Sequence, residues 1–254
     1  MRSLFRSRDP EPAVIVEPAP TVFPVIQGAD IAAVFAGKRV AGDFYDSIRV
    51  SPQRVLIGLL DIAGRREDNR HLLTAAQQIF RNAGCELFSR PDINESDAMT
   101  ELNHLLNRGL IDASKGVRSC PAFIACYHEV FGTLCYTNAG HIPGLLRDAT
   151  GISELDSTGL PLGLFSHATA DARIVALEKR AALLLVSRGL IACEGRTNGS
   201  SDEFSLDRVK PIFQNTLATG AQALCSSILN SVNDFGGHVP LCDDRTALAL
   251  IRTA

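Results

Sequence analysis

The sequence has no apolar run long enough to span a membrane, no Cys-x-x-Cys pair and no dense lysine or arginine stripe. The first absence argues against a helical membrane protein. The second leaves seven scattered cysteines, an odd number that reads as thiols filling a core in a reducing, cytoplasmic compartment. The third, with a formal net charge of −3, gives phosphate-backbone binding little to work with, so no nucleic-acid partner is expected. Arg2, Arg6 and Arg8 make the start basic, but no apolar h-region follows, so no secretory signal is expected. Several chemistries are also missing. There is no Gly-x-Ser-x-Gly elbow, no cysteine followed six positions later by arginine, no phosphate-binding or dinucleotide glycine loop, and no zinc spacing among the six histidines.

What remains is a chain of 254 residues, 46% hydrophobic and 21% charged, which suits one globular domain with a large core. Residues 1–27 are a lead in which Pro10, Pro12, Pro18, Pro20 and Pro24 preclude a helix; it is expected to be extended or mobile, with Val14–Val16 able to dock as an edge strand. Residues 28–254 form the expected domain. Strands are predicted at Ile31–Phe35, Phe44–Val50 and Val55–Asp61. A helix follows over Asn69–Phe88, where Leu72, Leu73, Ala76, Phe80, Ala83 and Leu87 share a face and Asp68 or Asn69 serves as cap. A second helix covers 96–110. Further strands are expected at Ala122–His128, Thr133–Asn138, Ile142–Arg147, Arg173–Leu177 and Leu183–Val186. Helices over Leu206–Leu217 and Ala221–Phe235 precede a last strand, Thr246–Ile251. Grouped strands with paired helices predict an α+β fold: a β-sandwich of two mainly antiparallel sheets flanked by helices.

Three acidic segments carry the candidate chemistry. In Val40-Ala-Gly-Asp-Phe-Tyr-Asp46, a strand puts Asp43 and Tyr45 on one face and Phe44 and Asp46 on the other. Asp61 ends the apolar run Leu56–Leu60, where an unpaired carboxylate is costly, and Gly64 then allows a tight turn. Asp243 and Asp244 are adjacent before the last strand, and a nearby cation would relieve their repulsion. Taken singly, Asp43 reads as an exposed strand-entry acid, Asp61 as a turn cap, and Asp243-Asp244 as a turn salted by Arg245. His141, in Asn138-Ala-Gly-His141, reads as structural. Brought together by folding, the acids would supply hard oxygen ligands suited to Mg²⁺ or Mn²⁺.

In their order and spacing these segments resemble the PPM-type metal-dependent protein serine/threonine phosphatases, and within them the bacterial SpoIIE/RsbU-like branch. The resemblance runs from about Gly28 to Arg252. It rests on residues 40–46, Asp61-Ile-Ala-Gly64, Thr137–His141, Gly159-Leu-Pro-Leu-Gly163, Glu203-Phe204 before a helix, and Asp243-Asp-Arg-Thr246. It implies a sandwich fold and two Mn²⁺ or Mg²⁺ ions that activate a water for attack on phosphoserine or phosphothreonine. By the same resemblance the metal ligands are Asp43, Asp61, the Ile62 backbone carbonyl and Asp243, with Asp46, Gly64, Arg188 and Asp244 beside them or touching substrate. The implied partner is a phosphoprotein, in this branch typically an anti-sigma-factor antagonist in a partner-switching pathway; the sequence leaves homodimerisation open.

The chain departs from the pattern at three places. A Thr-Asp-Gly-like triplet, whose aspartate binds metal in the family, is Ser187-Arg188-Gly189 here. Gly-His-Gly is Gly64-Arg65-Arg66, and Phe-x-Thr is replaced within Cys120–Phe123. The leading expectation is a metal-dependent phosphatase holding two, one or no ions. The alternative is a pseudophosphatase that binds a partner without hydrolysis, its Arg188 standing in for the missing ion between Asp61 and Asp243. A blander reading, an unrelated α+β domain with dispersed surface acids, requires the three aspartates to lie far apart.

Overall fold

The computed structural model describes residues 17–37, 42–62, 64, 66–114, 118–197, 200–216, 220–237 and 243–254. Five strands, β2 (Gly42–Ser51), β3 (Arg54–Ile62), β4 (Ala122–His128), β5 (Thr133–Ala139) and β8 (Arg173–Ala176), form one antiparallel sheet in the order β2-β3-β4-β5-β8. The second sheet is also antiparallel. It joins β1 (Ala29–Ala36), β12 (Arg245–Arg252), β9 (Ala182–Val186), β6 (Gly144–Arg147) and β7 (Ile152–Leu155), in the order β1-β12-β9-β6-β7.

Strand periodicity explains the layers. Side chains alternate faces along a strand, so Val55, Ile57 and Leu59 meet Leu183, Leu185, Leu248 and Leu250 between the sheets. Leu56 and Leu60 face outward and are covered by α1 (Arg66–Phe88) and α2 (Glu95–Ser114), through Leu72, Phe80, Met99 and Leu106. On the far side Leu184, Ala247 and Ala249 pack on α4 (Ser205–Asn215) and α5 (Ala221–Gly236), through Phe213, Leu224 and Ile228. β3, β4 and β9 are buried along their whole length, which is why they read as continuous apolar runs.

The expected sandwich is therefore the observed architecture. α1 begins at Arg66, so Asp68 and Asn69 lie inside its first turn instead of capping it. From there Asn69 ties the helix start to the end of β3, its Nδ2 donating to the Ile62 carbonyl at 3.4 Å. β7, the hairpin of β10 (Glu194–Thr197) and β11 (Ser200–Glu203), and the one-turn α3 (Arg188–Ile191) were not predicted. Each is four residues long, too short for a period to register. Glu203 and Phe204 stand before α4 as expected. Val14–Val16 of the lead lie outside the described residues. Five of the six described cysteines are buried.

Asn138 fixes the loops at the end of β5. Its side chain accepts from the His141 amide at 2.8 Å and donates to the Leu155 carbonyl at 3.1 Å, while its own carbonyl accepts from the amides of Thr158 and Gly159. His141 is buried, and burial depresses its pKa to about 4, despite its Nδ1 lying 3.1 Å from the Ile142 carbonyl.

Two outcomes follow. Asn138→Ala removes the two buried side-chain bonds, to His141 N and Leu155 O, and should lower unfolding free energy by about 2–3 kcal/mol in urea titration. His141 stays neutral in the fold but protonates in the unfolded chain below about 6.5. Its contribution is complete above that pH and is lost as pH falls toward about 4, at up to about 1.4 kcal/mol per unit. Comparing the pH dependence of stability with that of His141→Gln isolates this slope.

Candidate functional site

Strand parity also builds the site. Asp43 shares the inward face of β2 with Tyr45, and Asp61 shares that of β3 with Val55, Ile57 and Leu59. The β2–β3 register sets Asp43 directly opposite Asp61. Two positions beyond Leu185 and two before Leu248 come Ser187 and Thr246, whose backbones continue the β9–β12 pairing, Ser187 N donating to Thr246 O at 3.0 Å. One end of the inter-sheet gap thus gathers two carboxyls and two hydroxyls from four strands or strand ends.

Thr246 Oγ1 donates to Asp43 Oδ2 at 2.7 Å. Ser187 Oγ accepts from the Thr246 amide at 3.0 Å and donates to the Asp244 carbonyl at 3.3 Å. Asp43 is 4% exposed. Burial, with the charges of Asp61 and Asp244 adding to it, pushes its pKa up to about 8 against the opposing hydroxyls of Ser187 and Thr246. Burial and Asp243 also raise the pKa of Asp61, while Arg188 lowers it.

Arg188 lies between the remaining carboxylates. Its Nε is 3.7 Å from Asp61 Oδ2, and its Nη2 donates to Asp243 Oδ2 at 3.2 Å. Its side chain is 66% exposed, so it reaches in from the rim. Gly189 permits that approach: a Cβ there would stand 2.2 Å from the Asp244 carbonyl oxygen and 2.8 Å from Asp243 Cβ. Asp243 accepts from the Asp244 amide at 3.0 Å, closing the turn before β12.

Other site expectations fare differently. Asp46 lies on the opposite face of β2 from Asp43, where Arg81 of α1 grips it through Nε at 2.7 Å and Nη2 at 3.1 Å. It is therefore a helix-to-sheet ion pair and no neighbour of the cluster. The Ile62 carbonyl is engaged by Asn69. Gly64 has φ of 109°, the left-handed turn conformation that glycine alone adopts freely, with Arg118 and Asn69 closing around it. Asp244 is buried beside Gly37. Arg245 turns away, donating to Asn233 Oδ1 and Cys193 Sγ instead of salting the acidic pair. Arg65 and Cys242, and the side chain of Arg66, lie outside the described residues. The holding role of Ser187 and Thr246 was not foreseen, although counting by twos outward from Leu185 and Leu248 reaches both.

The profile of the family described as stage II sporulation protein E (SpoIIE) matches residues 51–253. The chain belongs to the SpoIIE family. Its fold is shared with solved phosphatase domains. One is the RsbU and RsbW domains of a Mycobacterium tuberculosis protein, at 23% identity and TM-score 0.74, covering 91% of this chain and 62% of that one. Another is the PP2C phosphatase domain and a regulatory fragment of SpoIIE from Bacillus subtilis, at 13% identity and TM-score 0.70, covering 88% of this chain and 63% of that one. A third is RsbX in complex with magnesium, at 13% identity and TM-score 0.58, covering 87% and 95%. The chain thus spans less than two thirds of the first two. No curated protein matches the sequence. No helix among the described residues is long and apolar enough to cross a membrane.

The relatives' chemistry raises the question of whether these residues fit a divalent ion. As arranged they do not: among the described residues no group of three or more His, Cys, Asp or Glu is placed to hold a metal. Arg188 bridges the two more accessible acids, and Asp43 is committed to Thr246. At about 4 Å a guanidinium and a divalent ion would repel by about 8 kcal/mol at an effective dielectric of about 20.

The geometry separates two roles. Arg188→Ala, at an exposed ion pair, should change unfolding free energy by less than about 1 kcal/mol. Thr246→Val removes the buried donor to Asp43 and should cost about 1–3 kcal/mol. Chemical denaturation of both variants checks the contrast.

Proposed function

We propose that this chain is a PPM-type phosphatase domain that recognises a phosphoserine- or phosphothreonine-bearing regulatory protein, with hydrolysis impaired because Arg188 has taken the place of a metal ligand. The observation that carries this reading is the Arg188 bridge to Asp61 and Asp243. In the family that position holds a carboxylate, and exchanging it for arginine changes the local charge by two units. The guanidinium has five donors, and the two carboxylate oxygens leave most of its fork for a phosphate oxygen arriving from solvent. Asp61 and Asp243 hold the fork at the rim, and Asp43, secured by Thr246 and Ser187, forms the floor.

Membership of the family supports a regulatory protein as partner, and the reading names it as a phosphorylated anti-sigma-factor antagonist. In the mycobacterial relative an RsbU domain and an RsbW domain occur together, which supports a place in partner switching. Free thiols at Cys85, Cys120, Cys126, Cys135 and Cys225 support a cytoplasmic setting.

A second reading, Mn²⁺- or Mg²⁺-dependent hydrolysis of the same phosphoprotein, is favoured by one observation. Asp43 and Asp61 keep their cross-strand register, and the exposed Arg188 is held by ion pairs at the rim. Isothermal titration with Mn²⁺ and phosphate release from a phosphothreonine peptide separate the two. Under the first reading the parent binds no Mn²⁺ and releases no phosphate at millimolar metal, whereas Arg188→Asp gains Mn²⁺ affinity at least tenfold. Parent turnover that Asp61→Asn abolishes would establish hydrolysis instead.

A further inference from the structure

Gln77 of α1 is 4% exposed, yet its amide serves a segment outside every helix and strand. Its Oε1 accepts from the Ala19 amide at 2.7 Å, and its Nε2 donates to the Ala19 carbonyl at 2.8 Å. One side chain thus meets both main-chain groups of one residue, as a neighbouring strand would. The amide is oriented from behind: Nε2 also donates to Asp46 Oδ2 at 3.3 Å, and Arg81 neutralises that buried carboxylate.

The segment suits the clasp. Pro18 and Pro20 flank Ala19 and lack N–H groups, so Ala19 supplies the one donor of the three, and a residue before proline is biased toward extended backbone. Thr21 Oγ1 donates to the Tyr45 carbonyl at 2.7 Å, and Phe23 stacks on the Tyr45 ring. β2 is an edge strand, and the segment runs along it. Pro18–Thr21 form one wall of a cleft whose other walls include Phe35, Tyr45 and Asp43. Val22 is 78% and Val25 83% exposed, so the apolar hold on this stretch comes from Phe23 and Ile26, C-terminal to the clasped residues. Without a main chain in place, the buried Gln77 amide would lose two partners, a cost that favours an occupied site.

We propose that Gln77, braced by Asp46 and Arg81, is the latch of a peptide-docking site on the β2 edge, filled in cis by Pro18–Thr21, and that this strap closes the flank of the cleft containing Asp43. A proline-bounded extended segment with one free N–H and C=O pair is the chemistry the site accepts.

Hydrogen exchange of the full chain tests this without reading activity, so the result is independent of whether the domain binds or hydrolyses a phosphoprotein. In Gln77→Met, exchange at Ala19 and across residues 43–47 should rise at least tenfold, thermolysin should cut before Val22 or Phe23, and the melting temperature should stay within a few degrees. Thr21→Val, outside every element, should move the same amides in the same direction and decides the matter if Gln77→Met does not fold. Unchanged exchange at Ala19 would overturn the latch. A released strap with unchanged exchange at 43–47 would overturn its role as a cover.

Discussion

Two carboxyl groups face each other across adjacent strands, at the open end of a gap otherwise filled by aliphatic and aromatic side chains. Low-dielectric surroundings make that arrangement expensive, and the rest of the site can be understood as its compensation. Asp43 is settled by proton retention and by the hydroxyls of Thr246 and Ser187. Asp61 is settled by a cation. The same strand register that packs the core therefore also creates the electrostatic problem at its end.

The cation comes from the chain itself. In a relative such as RsbX, solved with magnesium, an ion would answer the same need. Here the residue after Ser187 brings the positive charge directly, and Gly189 gives it room under the Asp243–Asp244 turn. A fixed guanidinium stabilises the carboxylates but generates no nucleophile, and that difference is what the proposal of phosphoprotein recognition with impaired hydrolysis rests on. The likeness to phosphatase domains is thus a likeness of framework, while the cluster at its heart has a different charge plan.

Much of this framework was legible. Long periodic segments announced α1, α2 and the buried strands, and the alternation in residues 43–46 already put Asp46 on the opposite face from Asp43. Its partner Arg81, 35 positions away, was not legible, because no local pattern encodes which helix residue a buried acid meets. The direction of Arg188 was open for a similar reason: the family resemblance put it near Asp61 and Asp243, but a long side chain on a one-turn helix has many rotamers. The β10–β11 hairpin escaped because Glu194–Thr197 and Ser200–Glu203 are polar and brief, and so lack the alternation that betrays a half-buried strand.

The pairing of β1 with β12 has a temporal side. Asp43 and the hydroxyl that holds it are separated by 203 positions. At about 5–20 residues per second, ribosomal synthesis would leave roughly 10–40 s between the appearance of the acid and that of its partner. During that interval β3, β4 and β5 can pair among themselves, but the second sheet lacks β12, the strand that joins β1 to β9. A chain interrupted before residue 246 would own most of its core and none of its finished electrostatic centre, which makes the assembled cluster a marker that β12 has been made.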